Sequence, residues 1–122
     1  MAVVDSFAKQ CEPCRGGVPP LSRQEALWLL ADLRGWQLLE EPVRIEKSYR
    51  FADFAAAQSF AVAVGGLAEA EGHHPDIRYG WGYCAVAFRT HEIDGLHRND
   101  FIMAAQVDRL PLPKAPPGES RD

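Results

Sequence analysis

"EGHHPDIRYGWGYCAVAFRTHE", residues 71–92, decides the fold and gathers the chemistry. Two strand-like runs, near Asp76–Tyr79 and Tyr83–Thr90, flank the glycines of "GWG" at 80–82, which predict the bend of a β-hairpin. The same stretch holds three of the chain's four histidines, His73, His74 and His91. With the midpoint near Gly82, His73 and His91 lie nine positions to either side, so antiparallel pairing brings them to the open end of the hairpin. His74 adjoins His73, and Glu69 lies one helical turn before it. Three imidazoles and a carboxylate are therefore expected to converge where a helix end meets two strand ends. Imidazole titrates near 6.5, so such a cluster offers both a proton donor and a proton acceptor near neutral pH.

Working outward, Asp53 is a candidate N-cap for an Ala-rich helix reaching Glu71, with Gly72 as its stop. Gly65 and Gly66 inside that helix cost about 1 kcal/mol each, and close packing against a neighbour is the expected reason for them. Upstream, "WQLLE" (36–40) and "VRIEKSYRF" (43–51) read as strands around a turn at Glu41–Pro42. In the second, Val43, Ile45, Tyr49 and Phe51 share one face, and Arg44, Glu46, Ser48 and Arg50 take the other. Ser22 and Glu25 have capping-box spacing ahead of "ALWLLADL", a helix that Gly35 ends. "NDFIMAAQVDRL" (99–110) forms the last helix. The order helix, two strands, helix, two strands, helix is an α+β pattern, with helices laid on one face of an antiparallel sheet. Residues 1–20 read as an irregular arm, 21–110 as one domain and 111–122 as a mobile Pro-rich tail.

Composition bounds the function. The chain has 122 residues, 47% of them hydrophobic and 25% charged, the balance of an ordinary globule with one core. Its net charge of −4 gives no electrostatic reason to expect nucleic acid or an anionic membrane as the main partner. The most apolar run, Phe54 to Ala68, contains Gln58 and Ser59 and is too short to span a bilayer. The N-terminus lacks the basic flank and apolar stretch of a signal peptide, so the three cysteines are expected to be free thiols in a cytoplasmic protein. Cys11 and Cys14 form a lone C-x-x-C without a second pair, since Cys84 stands alone in a strand; two surface thiols in an arm are expected there, not a metal or redox centre.

The histidines themselves admit other readings. Three imidazoles with Glu69 could ligate zinc, yet adjacent histidines on an extended segment point apart, and no H-x-H or H-E-x-x-H spacing accompanies them. One or two could also be core or capping residues. His97, in "GLHRND" before the last helix, is expected to be a solvated loop residue.

"EAEGHHP", then Trp81, then "THEIDGLHRNDFIMAA" resembles the pterin-4a-carbinolamine dehydratase family, in its bacterial branch. That pattern is an acidic residue, three positions, His-His-Pro, an aromatic, a His and a later Asp; Glu69, His73, His74, Pro75, Trp81, His91 and Asp100 fill it. The resemblance runs from about residue 11 to 109, and Ala70 departs from the Lys that many relatives carry. It implies a four-stranded antiparallel sheet with three helices on one side. It also implies removal of water from 4a-hydroxytetrahydropterin, the spent cofactor of aromatic amino-acid hydroxylases, to give quinonoid dihydropterin. The pterin is then the substrate, and neither a metal nor another cofactor is implied. By resemblance His73 and His91 are proton donors and His74 binds the pterin and acts as base. Glu69 and Asp100 orient the imidazoles, while Pro75, Trp81 and Trp36 line or support the site. A homodimer or homotetramer is expected, because the helix of "FADF" and "FAVAV" is nearly all apolar and relatives associate through strand edges and helices. The alternative implied by non-enzymatic relatives is a protein-binding role, as a dimerisation cofactor of a transcription factor or in Rubisco assembly.

Overall fold

Local rules set most element ends. In the computed structural model, which describes residues 18–113, helix α1 spans Arg23–Leu30. The Ser22 hydroxyl accepts from Glu25 N–H at 3.1 Å, and Ser22 N–H donates back to the Glu25 carboxylate at 2.8 Å, closing the expected capping box. Strand β1 (Gln37–Leu39) and β2 (Arg44–Arg50) follow. Helix α2 (Phe54–Glu71) starts where Asp53 accepts from Ala56 N–H and stops at Gly72, whose φ of +68° few other residues adopt without strain. Strands β3 (Asp76–Gly80) and β4 (Tyr83–Phe88), a short 3-10 turn at His91–Ile93 and helix α3 (Arg98–Asp108) complete the order. Cys11, Cys14, most of the expected arm and the tail beyond residue 113 lie outside the described residues.

The sheet is antiparallel throughout, ordered β1-β2-β4-β3, with the three helices on one face. Ile45 of β2 pairs with Phe88 of β4, and Ile77 of β3 with Val86. Those side chains alternate onto the helix-covered face, where Ile45, Val86 and Phe88 are fully buried with Phe60 and Val64 of α2 and Phe101 and Met103 of α3. The same alternation carries Lys47 onto the core face. Its ammonium escapes burial by donating to Arg34 O at 3.0 Å and Asp108 at 2.9 Å. The Tyr49 hydroxyl and Trp36 Nε1–H also donate to Asp108. Burial, and then the Asp108 carboxylate, push the Tyr49 hydroxyl far above its ordinary pKa. No helix among the described residues is long and apolar enough to cross a membrane.

Three expectations are corrected. Helix α1 ends at Leu30, and turns rather than helix carry the chain to Gly35. Among the described residues a Cβ added at Gly65 or Gly66 would meet nothing within 4 Å, so no close packing there explains these glycines. They lie on the outer side of α2, where Val62 is 70% exposed. His97 is not a solvated loop residue: it is half-buried and caps α3, its Nδ1 accepting from Asn99 N–H at 2.9 Å. An imidazole nitrogen can fill the role usually taken by a short side-chain oxygen, because the first helical N–H groups need any acceptor.

Candidate functional site

The best-built part of the site starts at the N-terminus of α3. Asp100 is the third residue of that helix and is 0% exposed. Its Oδ2 accepts from His97 N–H at 2.9 Å and from the Thr90 hydroxyl at 2.8 Å. Its Oδ1 lies 2.7 Å from His73 Nε2. The positive end of the α3 dipole also favours a carboxylate there. Every donor around Asp100 comes from a different element: the cap of α3, the end of β4 and the exit of α2. Gly72 turns the chain back on itself, and His73 N–H donates to Ala68 O at 3.2 Å, so the His73 ring is delivered to Asp100 by the helix stop itself.

A carboxylate only accepts, so His73 Nε2 carries the proton in this contact and Nδ1 is the nitrogen left for chemistry. The His73 side chain is 11% exposed, and its ring lies nearly parallel to Phe88, with centroids 6.2 Å apart. A ring held by a buried carboxylate on one side and an aromatic wall on its face is fixed in tautomer and orientation. It can donate from Nδ1 when doubly protonated and accept there when neutral.

The other two histidines have different partners. His74 Nε2 is 2.5 Å from Glu69 Oε2, with both side chains largely exposed, so solvent screens this pair. His91 opens the 3-10 turn, is exposed, and its Nδ1 is 3.3 Å from Arg89 Nη1. Among the described residues no group of three His, Cys, Asp or Glu is arranged to hold a metal ion.

The hairpin register explains this separation. Asp76 pairs with Ala87, and continuing that register sets His73 opposite Thr90. His73 thus shares Asp100 with Thr90, while His91 lies one residue further along, beyond the end of β4. Trp36 is buried and its ring is 6.0 Å from Phe88, so it shares Phe88 with His73 as a neighbour. Pro75 is half-buried at the entry to β3. Trp81 stands apart, 73% exposed in the β3–β4 turn, at the opposite end of the hairpin from the histidines. A groove of about 390 Å³, lined in part by Trp28 and Arg98, lies between the starts of α1 and α3, and none of the three histidines lines it. Sequence reasoning missed Thr90, Phe88 and Arg89. The first two fall on the buried side of β4 by alternation, which is the signal that could have found them.

Known proteins resemble this chain in sequence and in fold. The family model described as pterin 4 alpha carbinolamine dehydratase matches residues 19–110. A Methylococcus capsulatus protein provisionally named pterin-4-alpha-carbinolamine dehydratase is 56% identical over 103 residues, 84% of this chain and 90% of that one. A Cupriavidus pinatubonensis protein with the same provisional name is 52% identical over 103 residues, 84% of this chain and 89% of that one. Among solved structures, a transcriptional coactivator/pterin dehydratase from Brucella melitensis superposes with a TM-score of 0.68 at 29% identity, covering 73% of this chain and 95% of that one. A pterin dehydratase-like protein identified as a RuBisCO assembly factor of the α-carboxysome superposes at 0.53 with 25% identity, covering 62% and 87%.

Proposed function

The chain belongs to the pterin 4 alpha carbinolamine dehydratase family, and on that premise we propose that it removes water from a 4a-hydroxytetrahydropterin to give the quinonoid dihydropterin. The observation that carries this reading is the His73–Asp100 pair, a nearly buried imidazole on a fully buried carboxylate. Hydroxide is a poor leaving group, so the C4a oxygen must take a proton as its bond to carbon breaks. The electron pair of that bond leaves with the oxygen as water, and the N5 lone pair stabilises the developing cation. A ring N–H then gives its proton to a base. One acid and one base are needed, each worth on the order of 10²- to 10⁴-fold.

His73 fits the acid: its imidazolium keeps the Asp100 hydrogen bond through Nε2 and offers Nδ1–H to the hydroxyl. His74, steadied by Glu69, fits pterin binding and the base. His91 approaches from the end of β4 as a hydrogen-bond donor, and Phe88 with Trp36 forms an aromatic wall behind His73. We further propose a homo-oligomer that covers the exposed outer side of α2, and a metabolic link to an aromatic amino-acid hydroxylase as the source of the substrate. The test is dehydration of enzymatically generated 4a-hydroxytetrahydropterin, followed by its absorbance change with and without the purified chain. The expected outcome is a large acceleration that His73→Ala reduces by on the order of 10²-fold or more. A folded wild-type chain that leaves the spontaneous rate unchanged would favour a protein-binding role, of the kind described for the α-carboxysome relative.

A further inference from the structure

Just past β4, one guanidinium has all three of its nitrogens engaged. Arg89 Nε donates to Val43 O at 3.2 Å, Nη2 donates to Asp94 Oδ1 at 2.5 Å, and Nη1 faces His91 Nδ1 at 3.3 Å. The Arg89 side chain is only 12% exposed. Its anchors come from both sides: Val43 leads into β2, while Asp94 closes the 3-10 turn with a left-handed φ of +49° and a hydrogen bond from its N–H to His91 O. This cation is therefore committed to protein groups and fixed in plane.

Arginine has only donors and stays protonated. In the contact with Arg89, His91 must accept, so Nδ1 holds a lone pair and the ring proton sits on Nε2. A doubly protonated ring would set Nδ1–H against Nη1–H, with no acceptor between them. His73 has the opposite arrangement, since its Nε2 faces an acceptor and its Nδ1 is the working nitrogen. Among the described residues the charged groups near His91 are Arg89, Asp94 and Glu92 on its own strand end and turn, with the His73–Asp100 pair reached through Thr90.

We propose that Arg89 is a positioning residue that locks His91 in the Nε2–H tautomer. His91 then presents a neutral N–H, which can hydrogen-bond to the departing hydroxyl or to a pterin ring acceptor, while the proton that leaves in the water comes from His73. The catalytic consequence rests on the dehydratase reading; the tautomer does not.

The test is ¹⁵N NMR of the full chain labelled at histidine, at a pH above the imidazole range. The wild type should show His91 protonated at Nε2 and bare at Nδ1. In Arg89→Met the ring should relax to a mixture of tautomers, and Arg89→Lys should behave alike, because a single ammonium cannot span the three anchors. The dehydration rate of both variants should fall on the order of 10-fold or more, with little change in KM. A wild-type His91 protonated at Nδ1 overturns the proposal, and so does an Arg89→Met spectrum that leaves His91 unchanged. Should both variants fail to fold, Asp94→Asn, which loosens one anchor of the guanidinium, takes their place in the same comparison. The expected tautomer in a chain without dehydratase activity would support the lock while sinking the dehydratase reading.

Discussion

Asp100→Asn tests the centre of the site with a change of one atom. Thr90 Oγ–H and His97 N–H both donate to Oδ2, so the amide oxygen must remain on that side. The amide nitrogen then faces His73 Nε2, where the carboxylate had accepted. Two donors meet unless His73 moves its proton to Nδ1, which removes the lone pair from the working nitrogen and leaves the imidazolium without its counter-charge. The rate should fall on the order of 10²- to 10⁴-fold, the range expected for losing an acid–base group or inverting its tautomer. Stability should change far less. Each retained hydrogen bond drops from a charged value of about 1.5–3 kcal/mol to a neutral one of about 0.5–1.5. Relief of the desolvation of a fully buried carboxylate offsets part of this, leaving a net loss of about 1–3 kcal/mol. The assays are urea denaturation and stopped-flow dehydration on the same preparation. Thr90→Val is the control: it removes a donor to Asp100 without touching His73, so it should lose about 1 kcal/mol and keep most of the rate. A folded Asp100→Asn variant with the wild-type rate would refute the assignment of His73 as the acid.

Three further outcomes follow from other parts of the chain. His97→Ala removes the cap of α3 and should cost about 1 kcal/mol in urea denaturation, whereas His97→Asn should recover most of it; equal losses would mean the imidazole does not act as a cap. Burial pushes the Cys84 thiol from its ordinary 9.0 up to about 11, so the unfolded chain loses this proton first as pH rises. The stabilisation is whole below pH 9 and falls by about 1.4 kcal/mol per unit between about 9 and about 11; Cys84→Ala should flatten that decline, and an unchanged slope would contradict the burial argument. At Gly66 an added methyl meets nothing among the described residues, so Gly66→Ala should stabilise α2 by about 0.5–1 kcal/mol, and a loss of stability would show that something beyond those residues packs there.

What could be read from sequence divides by distance along the chain. Ser22 with Glu25, Asp53 with the start of α2, and Gly72 at its end are rules spanning a few residues, and each element end they set lies where expected. The hairpin around "GWG" was equally legible, since period-two runs flank the glycines. Its centre sits half a residue before Gly82, and that small offset puts Thr90, not His91, opposite His73. In β2 the apolar positions mark the core face, and alternation alone places Lys47 between them there, against what its charge suggests. Gly65 and Gly66 looked like packing devices because a helix interior penalises glycine, yet nothing in a single sequence says which side of a helix meets a neighbour.

The site shows the same division more sharply. Glu69, His73 and His74 belong to one helix end, so their nearness could be counted off in single residues. The chemistry of each imidazole, however, is set by whatever holds its other nitrogen, and two of the three holders are not local in that way. Asp100 reaches His73 across 27 residues, and only because His97, an unusual cap, starts α3 at the turn that points the carboxylate inward. Arg89 is two residues from His91, but its aim depends on Val43 from the approach to β2, 46 residues away. A histidine motif therefore names the rings that can move protons, and the tertiary partners of those rings decide which nitrogen does so.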